Sequence, residues 1–115
     1  MKLRLIVNVV ARGQNIELGT LEYREGKYIW TAGDVELEDG VVEDFFQISG
    51  LASEGKEEGE ELFAFFKSRI TKNRNGEFFK EKLKRLDMKE YAEWEYICKT
   101  GLKTAIDTYE LVVCE

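Results

Sequence analysis

Asp34, Glu36 and Glu38 alternate along the chain, and Asp39, Glu43 and Asp44 follow closely. In an extended segment the first three would share one face, and carboxylate oxygens grouped in this way are hard ligands suited to Mg²⁺ or Ca²⁺. The calcium loop of an EF-hand is excluded, because the sixth position from Asp34 is Asp39 rather than glycine and the twelfth is Phe45. A solvated strand face that discourages edge pairing accounts for the same residues. Where these carboxylates do more, the reading is a patch for a basic partner, with no metal assigned.

The opposite chemistry follows along the chain. Lys67, Arg69, Lys72, Arg74, Lys80, Lys82, Lys84, Arg85 and Lys89 form a basic run, with Asn73, Asn75 and Gly76 as a polar loop inside it. If these side chains converge they could neutralise phosphates or meet an acidic partner. No helix-turn-helix, zinc finger, GxxG loop or RNP aromatic motif accompanies them. The net charge of −6 also repels a polyanion at long range. Nucleic acid is therefore the second reading of this segment and an acidic protein surface the first.

Catalysis has few residues to work with. The chain contains no histidine, which removes Ser-His and Cys-His pairs, histidine acid–base chemistry and imidazole ligands. Cys98 and Cys114 form no CxxC pair and lie in apolar runs, as buried thiols do. Glu25-Gly-Lys27 and Asp87-Met-Lys89 loosely match the acidic-x-Lys spacing of metal-dependent nucleases, but a hairpin turn and a helix end explain them better. Phosphate-loop, dinucleotide and nucleophile-elbow motifs are missing. The expectation is no enzyme and no cofactor; a carboxylate-based metal enzyme using Asp34, Glu36 or Lys89 is the third alternative.

Tyr23, Tyr28 and Trp30 flank one turn, and Tyr91, Trp94, Tyr96 and Tyr109 lie toward the C-terminus. Cross-strand packing is their ordinary role. Tyr28 and Tyr91 stand off the main alternation of their segments and are expected to be exposed interface aromatics.

The elements that must position these groups follow from the 115-residue length, 43% apolar content and seven Phe, five Tyr and two Trp, which suit one folded domain with one core. No apolar run is long enough for a membrane span, and a cytoplasmic setting is expected. Proline is missing and glutamine occurs only twice beside abundant Glu and Lys, a composition that leans toward a thermophilic source. Alternation predicts strands over 3–9, 16–23, 28–31 and 34–38, with a bulge or break at Gly19 and a turn at 24–27. The 41–48 stretch mixes helical spacing with β-branched residues and is read as a short helix or turn. A main helix is predicted over 56–71, a shorter one over 77–87, and strands over 92–98 and 105–114. Phe65-Phe66-Lys67 recurs as Phe78-Phe79-Lys80, and Phe45-Phe46 is a third pair, too few for a repeat architecture.

These elements give an α+β fold with an antiparallel or mixed sheet of five to six strands, two helices on one face, and the order ββββ-αα-ββ. Charge is segregated along it. Eleven acidic residues against one lysine occupy 34–61, and nine basic against three acidic occupy 67–89, a local −10 followed by +6. Helix-end electrostatics explain part of this division. The remainder suggests a small non-enzymatic interaction or regulatory module, a homodimer in which the acidic patch of one subunit meets the basic patch of the other.

Overall fold

A computed structural model describes residues 2–70, 76–104 and 107–113. The fold is α+β, with a five-stranded antiparallel sheet and, among the described residues, four α-helices. Strands β1 (Lys2–Val9), β2 (Gln14–Arg24) and β3 (Lys27–Ala32) form a meander; helix α1 (Gly40–Ser49) and strand β4 (Lys56–Gly59) follow. Helices α2 (Ala64–Lys67), α3 (Glu77–Arg85) and α4 (Glu93–Thr100) precede strand β5 (Tyr109–Val113). The spatial order is β4-β3-β2-β1-β5.

The meander has local causes. Glu25 and Gly26 both take positive φ, 54° and 79°, so Arg24 pairs directly with Lys27 across the two-residue hairpin that matches strand twist. The register of β1 on β2 shifts between Leu5 and Ile6, which admits Leu18 as an extra residue beside Gly19. On its other side β1 pairs with β5, from Leu3 opposite Val113 to Val7 opposite Tyr109.

Period-two alternation turns Leu3, Leu5, Val7, Leu21, Tyr28, Trp30 and Leu111 to one face. There they join one core with Val42 and Phe45 of α1, Phe66 of α2, Phe79 and Leu83 of α3, and Tyr96 and Ile97 of α4. Trp30 lies at the centre, 6.3 Å from the Phe45 ring and 6.0 Å from Phe66, and its indole N–H donates to the Ala52 carbonyl at 2.9 Å. The opposite face keeps Arg4 3.6 Å from Glu17 and Arg24 3.6 Å from Glu22.

The order ββββ-αα-ββ is corrected to βββ-α-β-ααα-β, and four helices rather than two cover the sheet face. The 34–38 segment is not a strand. The Ala32 N–H donates to Gly55 at 2.9 Å, so the edge of β3 is taken by the chain around β4, and a turn from Asp39 N–H to the Glu36 carbonyl (3.1 Å) closes the segment. The 41–48 stretch is a regular helix, with the Asp39 side chain accepting from the Val41 N–H at 2.9 Å and Gly50 at φ 70° closing it.

The predicted 56–71 helix begins instead as an edge strand and survives as one turn at 64–67. Four carboxylates at 57, 58, 60 and 61 around Gly59 make a helix costly, through like-charge crowding and about 1 kcal/mol for the interior glycine. An extended chain sends successive side chains to opposite faces. The predicted 92–98 strand is helix α4, whose first turn carries Glu93 and Glu95 and whose last N–H bond runs from Gly101, at φ 64°, to Ile97. Acids at the positive end and a left-handed glycine cap favour the helix over the coincidental alternation.

Candidate functional site

Helix α3 buries Phe79 and Leu83, four residues apart, against the core. Phe78, one residue and about 100° around the helix, projects from its flank and is 88% exposed. Lys82 and Arg85, at four and seven residues further, share its side of the helix. Phe78, Phe79, Lys82 and Arg85 line a shallow groove, while Lys80, Lys84 and Lys89 are exposed nearby in sequence. Lys82 Nζ lies 5.4 Å from the centre of the Tyr96 ring, and Arg85 reaches Glu81 at 3.7 Å.

The basic run does not converge as a whole. Lys67 is exposed on α2, and Lys72 and Arg74 lie outside the described residues. Arg69 is withdrawn from any patch, because its side chain is 8% exposed and paired with Asp107 through Nη1–Oδ2 at 2.8 Å and Nη2–Oδ1 at 2.9 Å. It also donates to the carbonyls of Leu102 at 2.8 Å and Tyr109 at 3.1 Å. Asp107 Oδ1 in turn accepts the Tyr109 N–H at 3.2 Å, and the Leu111 N–H donates to Gly101 at 2.9 Å. These bonds cover the outer edge of β5. The Arg69 guanidinium holds the Asp107 carboxyl below its ordinary range.

The acidic residues divide between structure and surface. Asp39 caps α1 and binds Arg12 at 2.6 Å, which lowers its pKa first through that hydrogen bond and then through the Val41 N–H. With Asp34, Glu36 and Glu17 it borders a wide groove of about 430 Å³. Glu38, Glu43 and Asp44 are exposed. Glu43 lines a second groove, of about 270 Å³, together with Leu37, Phe46, Gln47, Leu51 and Ser53. Among the described residues, no group of three acidic or cysteine side chains is arranged to hold a metal ion.

Of the two aromatics expected to be exposed, Tyr28 is buried and Tyr91 is half-buried. Tyr28 is 4% exposed, because it lies two residues from Trp30 and therefore shares its face; Ile29 is the residue on the opposite side. Its hydroxyl donates to Glu93 Oε1 at 2.6 Å, and burial followed by this bond raises its pKa far above the usual tyrosine value. Tyr91 is half-buried, with its ring 5.6 Å from Phe79 and 5.7 Å from Tyr96. Cys98 is half-buried on α4 and its thiol pKa is raised chiefly by burial, which holds it protonated; Cys114 lies outside the described residues. Leu37 is 38% exposed, while Val35 packs against the core.

The prominent residue that sequence reasoning passed over is Phe78. The signal was present, since Phe79, Leu83 and Leu86 at helical spacing leave Phe78 about 100° off the buried stripe. No protein family, curated protein or solved structure was found to match the chain. Among the described residues, no helix is long and apolar enough to cross a membrane.

Proposed function

We propose that the chain is a non-enzymatic protein-interaction module that pairs with a second copy of itself through surfaces of opposite charge. The observation that carries this reading is Phe78, a phenyl ring 88% exposed on the helix with the densest positive charge. Burying such a ring in an interface contributes about 1.5–3 kcal/mol, and exposed aromatics flanked by arginine are typical anchors of protein contacts. Exposed carboxylates at Glu36, Glu38, Glu43 and Asp44 supply the opposite sign. Charges of this kind steer encounter and fix register, while the apolar anchor supplies affinity.

Sedimentation of the full chain at micromolar concentration tests the reading. A two-chain mass is expected at about 50 mM salt, shifting toward one chain at about 500 mM as the Debye length shortens. One-chain mass at both salts overturns it.

Phe78 beside Lys82 and Arg85 also favours a second reading, in which the ring stacks on an unpaired base and the cations meet phosphates. This use of α3 predicts salt-sensitive binding of single-stranded DNA or RNA at about 50 mM salt. No detectable binding there removes it.

A further inference from the structure

Two exposed surfaces of the molecule each pair apolar side chains with charge, and the charges are of opposite sign. One is the projecting Phe78 ring with Lys82 and Arg85 on its own side of α3. The other is the groove of about 270 Å³ between the 34–39 segment and α1, with Leu37, Phe46 and Leu51 as apolar walls and Glu43 on its border. Glu36 and Glu38, both exposed, flank Leu37 in sequence. We infer that Phe78 of one copy seats in the Leu37–Phe46–Leu51 groove of a second copy, with Lys82 and Arg85 against Glu43. The inference rests on the self-association reading above and names its contact.

Charge selects this groove over the other apolar one. The groove of about 390 Å³ that exposed Ile48 shares with Phe65 is bordered by Arg69 and Asp107. Those two already neutralise each other at 2.8 Å, so the Asp107 carboxylate is not free to meet Lys82 or Arg85. The sheet edge at β5 offers no competing route, because the Tyr109 N–H and carbonyl and the Leu111 N–H are engaged within the chain. A second copy is the favoured occupant because one chain carries both halves of the contact with opposite signs. Across a two-fold axis each copy then gives its ring and receives its partner's, so the contact forms twice and the assembly closes.

Two variants separate the halves. Phe78→Ser removes the ring at a solvent-exposed position, and Leu37→Lys places a cation in the groove. Glu43→Lys, also exposed, replaces Leu37→Lys if the latter loses its helical circular-dichroism signal. Each variant alone should weaken dimerisation about tenfold or more in sedimentation at low salt, with its helical circular dichroism retained. An equimolar mixture of Phe78→Ser with the groove variant retains one intact contact and should dimerise more tightly than either variant alone. A Phe78→Ser protein as dimeric as the wild type overturns this docking while self-association stands. A mixture no tighter than its components overturns the groove assignment in the same way. A wild type of one-chain mass at every salt removes the underlying reading itself.

Discussion

Gly19 and Phe78 show how much one position can decide. Gly19 faces Leu5 in the β1–β2 pair, directly beneath the buried indole of Trp30. A Cβ there would lie 2.5 Å from the Trp30 ring and 2.5 Å from the Thr31 carbonyl oxygen. Neither neighbour can yield easily, because the indole is tied to Ala52 and the carbonyl belongs to the central sheet. Gly19→Ala should therefore cost about 2–3 kcal/mol through overpacking, read as a lower urea midpoint at unchanged slope. The sequence already marked Gly19 as a bulge or break, but its steric cause lies in Trp30, a strand away. Phe78 is the converse case, since helical spacing alone places it outside the core. Tyr28 was misread for a simple reason: with Trp30 facing the core, a residue two positions earlier must face it as well.

Strand β5 depends on residues outside itself. Arg69 and Asp107 bind each other and, between them, the N–H and carbonyl of Tyr109, so the pair both neutralises a nearly buried guanidinium and closes a sheet edge. Asp107→Asn leaves Arg69 without its counter-charge and should cost about 2 kcal/mol at pH 7, less than a fully buried pair because Asp107 is 27% exposed. The native Asp107 pKa lies below its unfolded value of about 3.9. The stability from this group is thus fully present above about pH 4 and is lost as pH falls through the native value. Urea unfolding should show the gap between wild type and Asp107→Asn closing below pH 4; a gap constant from pH 7 to pH 3 would refute the assignment. The first three strands were legible because alternation and the Glu25-Gly26 turn agree locally. The strand at 56–59 and the helix at 93–100 were exchanged because neighbours decide them: β3 needs an edge partner, and Gly101 supplies a helix stop that alternation cannot reveal.

At the scale of the whole molecule, the −10 and +6 segments lose their most structural members and keep the rest. Asp39 serves Arg12 and the start of α1, and Arg69 serves Asp107, whereas the outer side of α3 and the carboxylates around Leu37 remain exposed. The charge division was plain in the sequence, but which charges remain at the surface required the fold. Because β1 and β5 are antiparallel neighbours with Leu3 opposite Val113, positions separated by almost the entire described chain are adjacent in space. Joining residue 113 to residue 2 through a short covalent link, with the chain reopened at the exposed Glu25-Gly26 turn, should therefore give a circularly permuted 2–113 segment with the same sheet order and near-native circular dichroism. Its new ends would emerge between β2 and β3, at the strand end shared by Leu3 and Val113, and fusion partners could be attached there away from the Arg69–Asp107 clasp beside Tyr109.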